Sequence, residues 1–347
     1  MKKILVVGGA GFIGLHVTKR YLSEAYEVHV IDNLSRNGAR ANYNSLRELA
    51  PEMPGKLHFS HVDIRIANDV TAAIGSIQPD LLVHEAAQVA VTTSVQNPRL
   101  DFEVNALGTF NILEAIRLYS PDTFVVYAST NKVYGGMEEV EVLEEEKRYK
   151  YRDFPEGLDE NCNLDFHSPY ACSKGIADQY VHDYSRIYGL RTTVFRQSCI
   201  YGTHQYGVED QGWIAWFTIA RVLNRPVTIY GTGKQVRDVL WAEDLVEAYN
   251  SAWEKDKKGA IYNMGGGAEN SLSLMELVET LDQLHPTNIE LKYDEERPGD
   301  QPVYIANINL AKQELDWSPK VNPVTGIKRL YEWIVDNRET VIEVLGD

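Results

Sequence analysis

Lys3-Ile4-Leu5-Val6-Val7-Gly8-Gly9-Ala10-Gly11-Phe12-Ile13-Gly14 is the stretch that decides the fold of this chain. An apolar run of strand length stops in glycines, and a helical pattern over 12–24 begins inside them. Gly8, Gly11 and Gly14 recur at every third position. Glycine is needed where a turn is tight, where a diphosphate approaches backbone N–H groups at a helix N-terminus, and where helix and strand pack closely. Asp32 closes the next apolar run about 20 residues on, where a carboxylate accepts the hydroxyls of an adenine ribose. Strand, glycines, helix, strand and acid, in that order, predict a dinucleotide site. Asp32 repels a 2′-phosphate, so NAD is expected rather than NADP; Arg36 is the residue that argues the other way.

Outward from this unit, apolar runs at 3–7, 28–31, 57–62, 81–84, 124–128 and 192–196 alternate with helical patterns at 12–24, 67–77, 101–119 and 170–188. Such alternation predicts an α/β fold with a doubly wound parallel (Rossmann) sheet. The expected division is a NAD-binding domain over 1–195 and a smaller α/β substrate-binding part over 196–347, some of whose strands and helices return to the main domain. The charged stretch 136–166 reads as a surface excursion. Ser273 and Glu276 have the spacing of a capping box for a helix starting at Leu274.

Composition narrows the function. With 347 residues, 44% hydrophobic and 24% charged, the chain is an ordinary globular one. No apolar run approaches the roughly 20 residues of a membrane span. The short run after Met1-Lys2-Lys3 ends in glycines without a cleavage site, so a cytoplasmic protein is expected. Fifty acidic residues against 34 basic ones give a net charge of −16, which argues against nucleic acid as partner. A few arginines can still hold a small anion. Cys162, Cys172 and Cys199 show no metal-ligand spacing and no disulfide framework, so no metal is expected.

Tyr170 and Lys174 lie four apart, on one face of the expected helix. A phenol near pKa 10 is a poor base at neutral pH. A neighbouring ammonium and a nicotinamide cation would favour the phenolate and make Tyr170 a usable acid/base. Ser129 and Thr130 follow the apolar run at 124–128, and the carboxyl ends of such strands border the ligand crevice.

Taken together, the glycines, Asp32, Asp63-Ile64-Arg65, His84-Glu85-Ala86-Ala87, Asn105, Thr130 and the Tyr170/Lys174 pair resemble the extended short-chain dehydrogenase/reductases of the nucleotide-sugar epimerase/dehydratase superfamily. The resemblance covers essentially the whole chain. It implies that Thr130 bonds the reacting hydroxyl, Tyr170 moves its proton and Lys174 holds the nicotinamide ribose. Gly8, Gly11, Phe12 and Ile13 would meet the diphosphate, Asp63 and Ile64 the adenine, and Ala86, Ala87, Gln88 and Asn105 would line the cofactor path. Dehydratases of the superfamily have Thr-Asp-Glu where this chain has Thr130-Asn131-Lys132. Without those acids, elimination lacks its general acid, whereas epimerisation needs none.

A narrower set resembles the nucleotide-sugar 2-epimerases of the superfamily: 32–36 with Asn33, Ser35 and Arg36 beside the cofactor, 91–94, 129–135, 165–170, 210–213 and 233–238. It implies a bound NAD that takes hydride from C2 of a hexose and returns it to the other face. Substrate contacts are expected from Thr93, Ser94, Thr130, Asn131 and Lys132, and, at the diphosphate, from Arg237 and Arg297. Cytosine and guanine both remain open as the base. A UDP-hexose 4-epimerase and a non-catalytic NAD-binding regulator are the alternatives. Cys199 stands where many of these epimerases have Asn, so that amide contact is not carried over. The helical patterns at 101–119 and 170–188 are apolar on more than one face, and the family pairs such helices in dimers, so a homodimer is expected.

Overall fold

The computed structural model describes residues 1–287, 290–296 and 301–346. The chain forms two compact units, one of Met1–Val133, Phe166–Arg196 and Val246–Tyr262, the other of Tyr134–Asp165, Gln197–Leu245 and Asn263–Asp347.

The first unit is built on a seven-stranded sheet. Its leading strands are β1 (Lys3–Val7), β2 (Glu27–Asp32), β3 (Lys56–His61), β4 (Leu81–His84) and β5 (Phe124–Thr130). The order is β3-β2-β1-β4-β5, followed by Arg191–Gln197 and Ala260–Met264. The pairs β1–β2, β2–β3, β1–β4 and β4–β5 are parallel. This is the doubly wound arrangement, whose order reverses between β1 and β4 and opens a ligand crevice at the carboxyl ends. β4 and β5 are buried at every residue because helices cover both faces, which is why they read as unbroken apolar runs. Leu5, Val7, Ile31, Leu82 and Val125 pack with Ile112, Ile116 and Val181 from two helices on one face.

Those helices are Gly108–Tyr119 and Pro169–Tyr188. The expected continuous helix over 101–119 is instead three pieces: Pro98–Phe102, a π-helical turn Glu103–Leu107, and Gly108–Tyr119. A π turn shifts the residues that follow around the axis, and such turns gather at functional sites. The helix Pro169–Tyr188 begins with Ser168, whose Oγ accepts from Ala171 N, and ends at Gly189 with φ +71°. A proline at the first helical position and a left-handed glycine just past the last suit its two ends.

In the second unit, Trp213–Val222, Leu274–Leu284 and Pro323–Asp336 enclose a core of Ile214, Phe217, Ile219, Leu277, Leu281, Ile327 and Leu330. The capping box at Ser273 and Glu276 is formed. The stretch 136–166 is mostly exposed, as expected of a surface excursion, but it is tied down: Tyr151 and Leu158 are buried, the Tyr151 hydroxyl donates to Val303 O at 2.9 Å, and Asn263 N donates to Glu160 at 2.7 Å. Among the described residues, no helix is long and apolar enough to cross a membrane.

Candidate active site

The glycine turn does what its spacing implies. Gly8 has φ +82°, and a Cβ there would lie 2.5 Å from Ala86 N; one on Gly14 would lie 2.1 Å from Gly8 O. Gly11 is the N-cap of α1 (Phe12–Ser23) and offers no side-chain acceptor, nor is there an acid in the first turn. The N–H groups at Phe12 and Ile13 therefore start a helix whose positive end no side chain of that turn neutralises, a seat for an anion. Asp32 is next to it: its Oδ2 accepts from Ala10 N at 3.1 Å and its Oδ1 from Leu34 N at 2.7 Å. Burial raises its pKa while these two N–H groups pull it down.

Beyond Asp32, Asn33 donates to Asp63 at 3.2 Å, and Ser35 N donates back to Asn33 Oδ1 at 3.1 Å. The hydrogen bonds of the Arg65 guanidinium draw the Asp63 carboxyl down to about 2. Ile64 is buried, and a Cβ on Gly108 would come within 2.6 Å of it. Ser35 and Arg36 are exposed. Ala86 N donates to Val7 O at 2.9 Å, which sets Ala86 and Ala87 against the glycine turn. This donor set and cradle fit a dinucleotide.

Gln88 and Asn105 are joined by a buried network. Gln88 N donates to Asn105 Oδ1 at 2.9 Å, and Asn105 Nδ2 donates to Gln88 O at 2.9 Å and to Ser173 Oγ at 3.0 Å. Gln88 Nε2 donates to Asp101 Oδ1 at 2.7 Å, and Ser173 Oγ donates to Asp101 Oδ2. The π turn brings Asn105 to this position. Its amide is taken up in holding the Gln88 loop to the helix of Tyr170.

Thr130 ends β5 and is buried; its Oγ1 accepts from Lys132 N at 3.2 Å and donates to Asn131 Oδ1 at 3.5 Å. Tyr170 lies buried in the first turn of its helix, with Thr130 as a polar neighbour of its phenol. Burial raises its pKa; the neighbouring Thr130 lowers it, Asp101 raises it and the Arg36 cation lowers it. One turn on, Lys174 Nζ donates to Ala128 O at 2.5 Å and lies 4.4 Å from the centre of the Tyr127 ring. Burial pulls its pKa down to about 8, against Glu85, Asp178 and Asp101. The Lys174 ammonium, one turn from Tyr170, is thus anchored to the end of β5.

One of the expected sugar contacts is used locally: Ser94 is fully buried and its Oγ donates to Val91 O at 2.6 Å. Asn131 is buried and Lys132 half-buried, both on the 3₁₀ turn Asn131–Tyr134. In the second unit, Arg237 is half-buried on the strand Val236–Trp241, with Nη1 donating to Val236 O at 2.8 Å. Arg297 lies outside the described residues. Trp213 and Trp216 pack against the core of that unit, and Trp213 Nε1 donates to Cys199 Sγ at 3.4 Å.

Sequence reasoning missed Asp101, Ser173 and Asp178. The Arg196 guanidinium donates to buried Asp178 at 3.0 Å through both Nε and Nη2, and Ser129 Oγ donates to it at 2.7 Å. A signal for Asp178 was present: Tyr170, Lys174 and Asp178 recur every four residues on one helix face. The bonds of Asp101 to Gln88 and Ser173 join separate parts of the chain and leave no local pattern.

A family model described as GDP-mannose 4,6 dehydratase matches residues 5–330. The chain belongs to this family. Within it, the chain is 46% identical over 340 residues to the CDP-paratose 2-epimerase of Salmonella typhi, covering 95% of this chain and 98% of that one. A crystal structure of UDP-glucose 4-epimerase from Thermotoga maritima with UDP-glucose superposes with a TM-score of 0.83 at 30% identity, covering 98% of this chain and 99% of that one. The UDP-glucose 4-epimerase of Thermus thermophilus in complex with NAD superposes with a TM-score of 0.78 at 30% identity, covering 95% and 98% of the two chains.

Proposed function

We propose that this protein is an NAD-dependent nucleotide-sugar epimerase acting at C2 of a CDP-linked hexose of the paratose/tyvelose type. The observation that carries the reading is the pair of buried residues Thr130 and Tyr170 beside an anchored Lys174, with an amide and an ammonium at 131 and 132 in place of two acids. A dehydratase needs a carboxylic acid at that turn. The family model bears a dehydratase's description, but this loop is an epimerase's. The 46% identity to a CDP-paratose 2-epimerase supports the choice of C2 and of cytidine.

In this scheme the N-terminus of α1 at Gly11, Phe12 and Ile13 binds the diphosphate of NAD, and Asp32 takes the adenine-ribose hydroxyls. Asn33, Ser35, Arg36, Asp63 and Ile64 flank the adenosine, Ala86 to Gln88 line the path, and Lys174 holds the nicotinamide ribose. Asn105 acts by fixing the Gln88 loop. NAD, held by these residues, would supply the reversible hydride acceptor at C2 of the sugar. Thr130 and Tyr170 hold the C2 hydroxyl, and Tyr170 accepts its proton as the C2–H bond breaks. The 2-keto sugar then turns its other face, and Tyr170 gives the proton back to the oxygen as C2–H re-forms. Arg237 and Arg297 are assigned to the substrate diphosphate, and Thr93, Asn131 and Lys132 to the sugar side. Ser94, whose hydroxyl is engaged by Val91 O, shapes that loop. Phe102, Leu107, Phe110, Tyr180, Ile187 and Tyr188 are exposed on the helices flanking Tyr170, which supports a homodimer through that face; light scattering at micromolar concentration should give twice the chain mass.

Proton NMR of the enzyme with CDP-, GDP- and UDP-hexoses, without added reductant, tests the assignment. Inversion at C2 of a CDP-hexose is the expected result. Conversion only at C4 of a UDP-hexose would install the 4-epimerase reading, and no conversion with NAD retained would favour a regulator. Tyr170→Phe should lower turnover about 10²–10⁴-fold and leave bound NAD unchanged; wild-type turnover would remove Tyr170 as the acid/base.

A further inference from the structure

Away from the active-site residues, three side chains of ligating type converge on one face of the sheet. Glu27 and His29 alternate along β2 and so share a face, and His29 is paired in register with His58 on β3, the edge strand. The two imidazoles are stacked, with centroids 4.6 Å apart and planes at 17°. Both direct Nε2 at the same oxygen, Glu27 Oε1, at 2.9 Å from His29 and 3.8 Å from His58. All three ligand atoms lie within 4.8 Å of one another.

A lone histidine–carboxylate bond would need one imidazole. Here a second ring is stacked on the first and its Nε2 faces the same oxygen, so two imidazole nitrogens and one carboxylate oxygen converge. We propose that Glu27, His29 and His58 form a binding site for one divalent late first-row transition-metal ion, which ties edge strand β3 to β2. Two imidazoles and a carboxylate suit zinc and its neighbours rather than calcium or magnesium, and solvent completes the coordination. Ligand atoms about 2.1 Å from a tetrahedral ion stand roughly 3.4 Å apart, within reach of small side-chain rotations from the present spacing.

Lys3, in register with Glu27 on β1, is drawn off by its bond to Ile77 O at 3.0 Å, and Lys56, opposite Glu27 on β3, is exposed. His29 precedes Asp32 by three residues, about 10 Å along the strand. The ion would therefore brace the strands that carry Asp32 and lead to Asp63 without entering the dinucleotide cradle.

The test is calorimetric titration of chelator-stripped full-length protein with zinc chloride, paired with thermal unfolding and repeated with cobalt(II) for its visible spectrum. Expected are one equivalent bound with saturation, a higher unfolding temperature and unchanged NAD content. His58→Gln and Glu27→Gln should each weaken the site at least tenfold and abolish the thermal shift, while His285→Gln, in the second unit, should change neither. His58 is half-exposed on the edge strand, so its variant keeps the fold, as circular dichroism would confirm. Absence of a saturable stoichiometric event, or a His58→Gln isotherm matching wild type, would overturn the proposal and leave a hydrogen-bonded surface cluster.

Discussion

Each unit buries a carboxylate, and the two are treated in opposite ways. Asp178 in the first unit receives two guanidinium N–H groups from Arg196 and the Ser129 hydroxyl. Asp238 in the second receives the Ser198 hydroxyl and the Gly267 N–H, both neutral donors. Against these neutral donors burial dominates at Asp238, and its pKa rises to about 6. The ion-paired acid is bonded to Ser129 and gives the carboxyl end of β5 a fixed, charged floor. The other is a titrating knot under the loop 265–267, whose close fit shows at Gly265, where a Cβ would lie 1.9 Å from Asp238 Oδ2.

Removing the first of these acids should have the larger effect. Asp178→Ala leaves the buried Arg196 guanidinium uncompensated, and a loss of about 3–5 kcal/mol is expected in urea unfolding. Turnover should fall as well, because Ser129 adjoins Thr130. A loss below about 1 kcal/mol would show that water already screens the pair.

Asp238 should express the contrast through pH. A raised folded-state pKa means that its stabilising contribution is complete below the unfolded value near 3.8 and is lost as pH rises through about 6. A rise of that size corresponds to about 3 kcal/mol. Between pH 4 and 7, wild type should therefore lose about that much relative to Asp238→Asn, whose amide does not titrate. Parallel stability curves for the two proteins would contradict the assignment.

The smallest effects concern two serines that cap helices. Ser273 has extended backbone and a reciprocal partner in Glu276, so Ser273→Ala should cost about 1 kcal/mol. Ser168 caps the helix of Tyr170 with φ +89°, a conformation costly for any residue but glycine. Ser168→Gly should cost less than Ser273→Ala, since relief of strain offsets the lost cap, which thermal unfolding of the two variants would show.

How much was legible follows from how local each signal is. β1 and β4 are found at the residues their apolar runs marked, and the glycine turn with Asp32 needed only spacing and order. The helix Ala39–Leu49 left little trace, because only Ala39, Asn42 and Leu46 are buried along it. The π turn at Asn105 was invisible to a 3.6-residue period. Charge density marked 136–166 as surface but gave no sign of Tyr151 and Leu158, which are buried there. The chemistry of Lys174 was half legible: its place beside Tyr170 followed from spacing, but its engagement by Ala128 O and the Tyr127 ring depends on how β5 meets the helix.

The roles assigned to Thr130, Tyr170 and Lys174 all rest on one enzyme-held hydride that leaves C2 and returns to it. A CDP-hexose carrying deuterium at C2, incubated with the enzyme in ordinary water without added cofactor, puts this to the test. Oxidation and return by the same bound NAD predict an epimerised product with the deuterium still at C2. Epimerised product carrying solvent hydrogen at C2 would mean that the carbon is deprotonated rather than oxidised, and would contradict that chemistry.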